Sequence, residues 1–151
     1  MPVPNVRANR GVNGIDGQVS TWLGWSAELS DAWAVIGDLT ALYDLAAPFV
    51  LDQVNGAGRV LVVINNGGGK IFERLPRLES MSPRAIECMT NPQAADLSGL
   101  AILWGMNHLR IGKSDDFDQF EAGEKMLLLE LVPDDSQTKR FWEAWDKMAP
   151  R

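Results

Sequence analysis

Two polar residues that could bind a metal ion follow two apolar segments of the chain. Asp38 comes directly after the segment AWAVIG, and Asn66 follows the segment RVLVVI and one other asparagine. If the two segments are neighbouring strands joined by one crossover helix, the carboxylate and the amide oxygen face the same crevice. Mg²⁺ prefers such hard oxygen ligands when phosphates complete its octahedron. The pattern therefore predicts a site for magnesium and a diphosphate.

Three glycines, Gly67 to Gly69, follow Asn66 and would let the backbone approach a ligand closely. Simpler interpretations remain open, because Gly37-Asp38 is also a common turn or helix cap and an Asn/Gly run is often only a turn. The run is not a Walker loop, since no Ser or Thr follows Lys70, and the GxGxxG dinucleotide fingerprint is missing. Asn65 is the alternative metal ligand if the register is shifted by one residue.

The elements that must position these residues alternate along the chain. Near-continuous apolar strands alternate with helical patterns, which predicts an α/β, doubly wound fold with a mostly parallel sheet and helices on both faces. We expect His108 to be structural, Asn91-Pro92 to open a helix, and the aromatic residues of the last helix to face inward. Strands are predicted at 6–9, 32–36, 59–64, 108–111 and 125–132, and helices at 17–29, 45–54, 91–105, 114–122 and 136–148 (inward Phe141, Trp142 and Trp145).

Composition limits the classes of protein to consider. The 151 residues predict a single domain, and 46% hydrophobic residues can build a core. A net charge of −6 argues against a general nucleic-acid binder, which needs a basic face. The longest apolar runs are about seven residues, whereas a transmembrane helix needs ~20. Cys88 is the only cysteine, so no internal disulfide can form, and we expect a reducing, cytoplasmic setting.

Longer strings around these motifs resemble a known enzyme superfamily. Gly37-Asp38 followed by Asn65-Asn66 is similar to the GDG…NN motif of the thiamine-diphosphate enzymes, and the resemblance is closest to their menaquinone-pathway branch, the SEPHCHC synthases. It covers about residues 5–148, and Leu39 stands where the generic motif has a second glycine, as in this branch. The strings that carry the resemblance are NRG (9–11), GIDG (14–17), GDLTALYDL (37–45), NNGG (65–68), IF (71–72) and LP (75–76).

The resemblance implies two cofactors, thiamine diphosphate and Mg²⁺, with Mn²⁺ as a substitute. It implies that Asp38 and Asn66 bind the metal through side-chain oxygens and that the Gly68 carbonyl is a third ligand. It also implies that backbone amides and a hydroxyl bind the diphosphate on one side of the site, and that two further residues lie on the opposite side. These residues are Gly37, Leu39 and Thr40 on the first side, and Gly69 and Lys70 on the second.

The resemblance also implies contacts for the rest of the cofactor and for the substrates. Ile15 would support the bent cofactor, and the Asn13 carbonyl would meet its aminopyrimidine ring. Arg10 would bind substrate carboxylates, because a guanidinium pairs with them bidentately. An apolar wall beside the reaction centre would come from Ile71, Phe72 and Leu75. Core packing for the apolar residues and a structural ion pair for Arg10 are the alternatives.

The implied reaction is the decarboxylation of 2-oxoglutarate and the addition of the resulting carbanion to isochorismate. Enzymes of this family have three domains, and residues 1–151 look like the C-terminal one. The pyrimidine-binding domain, which activates the cofactor, would be missing, so we expect the chain to be inactive alone and the full enzyme to be a homo-oligomer. Two alternatives remain: another thiamine-diphosphate decarboxylase or carboligase, and a non-catalytic, flavodoxin-like binding module.

Overall fold

Four strands form a single parallel sheet in the order β1-β2-β4-β3. The computed structural model describes residues 5–9, 14–54, 57–75, 78, 80–121 and 123–148, without the side chain of Asp115. Four of the five predicted strands are confirmed, whereas residues 6–9 form no strand. The strands are β1 (Ala32–Gly37), β2 (Arg59–Ile64), β3 (Asn107–Ile111) and β4 (Leu127–Leu131).

Helices surround this sheet, and the α/β doubly wound class is confirmed. No helix among the described residues is both long and apolar enough to cross a membrane. The α-helices are α1 (Gln18–Trp25), α2 (Asp38–Tyr43), α3 (Pro83–Thr90), α4 (Leu97–Leu103) and α5 (Asp135–Met148), and 3₁₀ helices span Ala47–Gln53, Lys70–Arg74 and Ser114–Gln119.

The core consists of two clusters, because alternate residues of a strand point to opposite faces of the sheet. Leu61 and Val63 of β2 pack in the larger cluster, together with residues of α1, α2 and α4. Val60 and Val62 pack in the smaller cluster on the other face, with Leu109 and Phe120 against it. The buried strand β2 thus has an apolar layer on both sides, and its carboxyl end leads into the Asn/Gly loop.

The predicted helix opening at Asn91-Pro92 is wrong. Asn91 has φ +43° and caps the C-terminus of α3, donating its N–H to the Glu87 carbonyl. An asparagine in the left-handed conformation, followed by proline, is a stop signal as well as a possible start. The true start of α4 is Asp96, whose carboxylate accepts a hydrogen bond from the Ser98 N–H at 2.9 Å.

The aromatic residues of α5 do not face the core, contrary to expectation. Trp145 is 48% exposed and Phe141 is 56% exposed. Their rings stack on each other, and α5 contacts the 3₁₀ helix Lys70–Arg74 through polar and cation–π interactions. The Arg74 guanidinium lies 3.7 Å from the Trp142 ring centroid. Surface charge and aromatic contacts thus hold this helix where an apolar interface was expected.

Arg59 is a buried cation at the start of the central strand β2. Its side chain is only 1% exposed and reaches the carbonyl oxygens of Ser26 and Ala27, just after α1. The Arg59 Nε also donates to the Ser26 hydroxyl at 3.2 Å. These bonds join the chain just after α1 to the start of β2, and the Ser26 carbonyl also accepts the Leu29 N–H at 2.9 Å. Arg59 therefore fastens α1 to the sheet.

We predict that Arg59→Ala lowers the free energy of unfolding by about 2–4 kcal/mol, because it removes buried hydrogen bonds from a charged group, each worth roughly 1.5–3 kcal/mol. Urea denaturation of the purified chain measures this effect. The matched control is Arg84→Ala in α3, where the arginine is exposed and the expected change is within about 0.5 kcal/mol. Equal effects of the two substitutions would contradict the role given to Arg59.

Candidate functional site

The carboxylate of Asp38 joins the ends of two neighbouring strands. Gly37 is the register partner of Ile64, so Asp38 and the Asn/Gly loop emerge side by side at the carboxyl edge of the sheet. Asp38 Oδ2 accepts the Gly68 N–H at 2.7 Å, and the Asp38 side chain is only 2% exposed. Two of the three predicted metal ligands are thus brought together.

Asp38 also begins α2, so the helix-cap interpretation is partly right. Its Oδ1 accepts the Leu39 N–H at 2.7 Å, and a negative charge in the first turn is favourable near the helix N-terminus. The backbone amide of Leu39 is therefore engaged by Asp38 itself. Thr40 lies half-buried in the same turn, and Gly37 precedes it with open space where a Cβ would stand.

The two asparagines after β2 have different surroundings. Asn65 Oδ1 accepts a hydrogen bond from Gln93 Nε2 at 3.0 Å, and its Nδ2 donates to Glu130 at 2.7 Å. Asn66 Oδ1 is buried and accepts no hydrogen bond among the described residues. A buried acceptor without a hydrogen-bond partner lowers the stability of the fold by about 1–3 kcal/mol, unless another group satisfies it. Asn66 therefore offers an oxygen with no partner among the described residues, whereas that of Asn65 already accepts one hydrogen bond.

Gly68 and Gly69 pass very close to the segment that follows α3. Gly68 has φ +133°, and a Cβ there would lie 2.8 Å from the Thr90 carbonyl oxygen and 2.9 Å from that of Asn91. A Cβ at Gly69 would lie 2.9 Å from the Phe72 ring. The loop is further fixed by the Gln93 N–H, which donates to the Gly67 carbonyl at 3.1 Å. Only glycine fits at position 68.

The other described residues that were predicted to line the site are exposed or half-buried. Lys70 forms an ion pair with Asp135 of α5 at 3.2 Å, and its side chain is 34% exposed. Ile71 is 73% exposed, so core packing does not account for it. Ile15 and Leu75 are also exposed, and Phe72 is half-buried. The predictions for Arg10 and Asn13 lie outside the described residues.

An open cleft of about 840 Å³ adjoins the Asn/Gly loop at the carboxyl ends of β2, β4 and β3. Asn65, Asn66 and Gly67 of the loop line it, together with Arg110 of β3 and Glu130 of β4. Hydrogen bonds from the Ser136 hydroxyl and the Gln137 N–H lower the pKa of Asp134, a further lining residue. The charged residues of the lining are four acids, Asp96, Glu130, Asp134 and Asp135, and one base, Arg110.

The sequence predictions missed Gln93 and Glu130, two residues that contact the site. Gln93 Nε2 donates to Asp38 Oδ2 at 2.6 Å, and Glu130 is a carboxylate only 4% exposed at the end of β4. A signal for Glu130 was present, because a single acid interrupts the apolar run LLLEL of a central strand. Buried acids almost always have partners, so this pattern indicates a polar contact at Glu130. Gln93 lies outside regular structure and gave no comparable signal.

We predict that Gly68→Ala lowers the free energy of unfolding by about 1–3 kcal/mol, because a left-handed backbone and a backbone clash strain any side chain there. The matched control is Gly99→Ala in α4, where a Cβ meets nothing within 4 Å. That substitution should stabilise by about 0.5–1 kcal/mol, as expected for glycine in a helix. Urea denaturation checks both signs, and a neutral Gly68→Ala would refute the packing described for this loop.

Comparison with known proteins identifies the relatives of the chain. No family model matches it. A curated protein of Akkermansia muciniphila, named 2-succinyl-5-enolpyruvyl-6-hydroxy-3-cyclohexene-1-carboxylate (SEPHCHC) synthase, is 46% identical over 143 residues, which are 93% of this chain and 27% of that protein. A protein of the same name from Bdellovibrio bacteriovorus is 36% identical over 151 residues, covering 96% of this chain and 26% of the relative.

A third relative with that name, from Pectobacterium atrosepticum, is 42% identical over 106 residues, or 70% of this chain and 18% of the relative. The similarity thus extends across several bacteria and, in the first two relatives, over nearly all of the present sequence. The chain spans about a quarter of the length of those two proteins. It therefore belongs to the SEPHCHC synthase family and corresponds to one part of that enzyme.

Proposed function

We propose that the chain is the C-terminal, thiamine-diphosphate- and Mg²⁺-binding domain of a SEPHCHC synthase. The complete enzyme would decarboxylate 2-oxoglutarate and transfer the remaining four-carbon unit to isochorismate, in menaquinone biosynthesis. One observation carries the proposal beyond family membership: the buried Asn66 oxygen has no hydrogen-bond partner among the described residues, in a loop that is bonded to Asp38. A cation bound there would satisfy it.

The oxygen atoms available at the site support the proposal that it binds a hard divalent cation. Asp38 Oδ1 accepts one hydrogen bond among the described residues, from Leu39, and keeps a further lone pair. The Gly68 carbonyl accepts the Lys70 N–H at 2.9 Å and likewise keeps a lone pair. Together with Asn66 Oδ1, these atoms make an all-oxygen set of the kind that Mg²⁺ or Mn²⁺ takes, with phosphate oxygens and water as the remaining ligands.

The remaining residues have roles in binding and orientation. When bound, thiamine diphosphate supplies the electron sink for decarboxylation. Gly37 and Thr40 lie at the start of α2, where the backbone is open to an approaching phosphate. Exposed apolar surface at Ile71 and Leu75 supports the proposed wall of the substrate pocket. Roles for Arg10, Asn13 and Ile15, and for Gly69, Lys70 and Phe72, rest on the family resemblance.

Exposed apolar side chains support the proposal that other protein parts complete the site. Trp33 and Val35, on one face of β1, are 51% and 65% exposed, and Ile102 of α4 is 80% exposed. Trp33 and Val35 lie on the face of the sheet opposite α4, so the exposed apolar surface occupies both sides of the sheet, and such surface usually marks an interface. We propose that the pyrimidine-binding domain and a second copy of the enzyme cover it, in a homo-oligomer. The lone Cys88 fits a cytoplasmic location.

We predict that the chain binds thiamine diphosphate only when Mg²⁺ is present, and that Asp38→Ala weakens this binding at least about tenfold, because residues that merely support metal ligands already contribute that much. Calorimetric titration with Mg²⁺ and then with EDTA measures it. The matched control is Asp52→Ala, which removes an exposed carboxylate from the 3₁₀ helix Ala47–Gln53. Metal-independent binding, or equal losses in both variants, would defeat the assignment.

We also predict that the purified chain does not convert 2-oxoglutarate and isochorismate to product. The chain spans about a quarter of the length of its relatives, and we propose that the pyrimidine-binding domain, with the group that activates the cofactor, lies in the remainder. Chromatographic detection of the product checks this, with the full-length A. muciniphila relative as the positive control. Turnover by the chain alone would mean that the catalytic machinery is more self-contained than proposed.

A further inference from the structure

A line of polar side chains runs from Asp38 to the buried end of strand β4. Gln93 Nε2 donates to Asp38 Oδ2 at 2.6 Å and to Asn65 Oδ1 at 3.0 Å. Asn65 Nδ2 then donates to Glu130 Oε1 at 2.7 Å. The path Asp38–Gln93–Asn65–Glu130 thus connects the carboxyl ends of the three adjacent strands β1, β2 and β4.

The direction of these hydrogen bonds is fixed by chemistry. An ionised carboxylate accepts hydrogen bonds and donates none, so Gln93 must turn its NH₂ group toward Asp38. The Gln93 Oε1 agrees with this orientation, because it accepts the Ala95 N–H at 2.6 Å. The second Gln93 hydrogen then requires the Asn65 oxygen, and the Asn65 NH₂ requires an acceptor beyond it. Glu130 is that acceptor.

Burying the Glu130 carboxylate at this position costs free energy. It is 4% exposed, and its direct neighbours in the sheet are Val63 on β2 and Arg110 on β3. Its Oε2 lies 2.9 Å from His108 Nε2, and its Oε1 lies 3.7 Å from Arg110 Nε. An apolar residue would often fill such a position at lower cost. We attribute the presence of the Glu130 carboxylate at this position to its hydrogen bond with Asn65.

We infer that Glu130 is a positioning residue for the metal site: through Asn65 and Gln93 it fixes the orientation of the Asp38 carboxylate and keeps the Asn65 oxygen away from the metal, so that Asn66 supplies the amide ligand. This inference rests on the proposed function. Groups behind metal ligands commonly change metal affinity by about 10–100-fold, which sets the scale of the expected effect. Gln93 is the second member of the same path.

The test measures Mn²⁺ affinity by electron paramagnetic resonance, with thiamine diphosphate present, in variants whose folding is checked separately by thermal unfolding. Glu130→Leu removes the acceptor and should weaken Mn²⁺ binding about 10–100-fold. Glu130→Gln keeps an oxygen for Asn65 and should restore most of the affinity. Glu143→Leu, on the exposed surface of α5, is the matched control and should leave it unchanged.

A double-mutant comparison tests whether the residues act along one path. Gln93→Leu changes a half-buried residue outside regular structure and should by itself weaken Mn²⁺ binding to a similar extent. Combined with Glu130→Leu it should add little, because both substitutions break the same connection. If Glu130→Leu does not fold, Gln93→Leu and Glu130→Gln decide the matter.

Two results would overturn the inference while leaving the proposed function intact. The first is a folded Glu130→Leu or Gln93→Leu variant with the affinity of the unmodified chain. The second is Glu130→Gln binding as weakly as Glu130→Leu, because the acceptor oxygen would then be irrelevant. Failure of the unmodified chain to bind Mn²⁺ with thiamine diphosphate would instead overturn the proposed function.

Discussion

The buried Asp38 carboxylate is the interaction on which the carboxyl edge of the sheet depends. It receives the Gly68 N–H, the Leu39 N–H and the Gln93 side chain, so one charged group ties together the start of α2, the Asn/Gly loop and the segment after α3. A charge only 2% exposed is tolerable because every one of these contacts is a donor. The same contacts would hold Asp38 ready for a cation, which is the kind of preorganisation that a binding site requires.

Apolar patterning made most of the fold predictable from the sequence. The segments at 32–37 and 60–64 are unbroken apolar runs, so both strands, and the polar residues that follow each of them, could be foreseen. The failures have local causes. Asn91-Pro92 ends a helix because Asn91 adopts a left-handed conformation, which a dipeptide does not reveal. The rings of α5 are apolar at helical spacing but remain exposed, because sequence periodicity identifies an apolar face without saying what covers it.

The candidate site was predictable to a more limited degree. Asp38 and Gly68 could be paired because parallel strands end at the same edge of a sheet. The preference for Asn66 over Asn65 as metal ligand stays a prediction; the different partners of the two oxygens could not be foreseen, since Gln93 is distant in the chain. Long-range polar contacts of this kind leave no periodic signal. The unpartnered Asn66 oxygen, in a loop bonded to Asp38, supports the metal site that we propose, and the diphosphate part of that proposal rests on the family resemblance.

Nuclear magnetic resonance of the isotopically labelled chain, with Mn²⁺ in place of Mg²⁺ and thiamine diphosphate present, tests the central claim most directly. A paramagnetic ion broadens the signals of nearby nuclei, so it reports the metal's position without relying on any substitution. The account predicts that broadening is strongest for the backbone amides of Asp38 and Gly68 and for the side-chain amide of Asn66. Broadening centred instead on the acidic residues Asp134 and Asp135 of the adjoining cleft, with Asn66 unaffected, would contradict it.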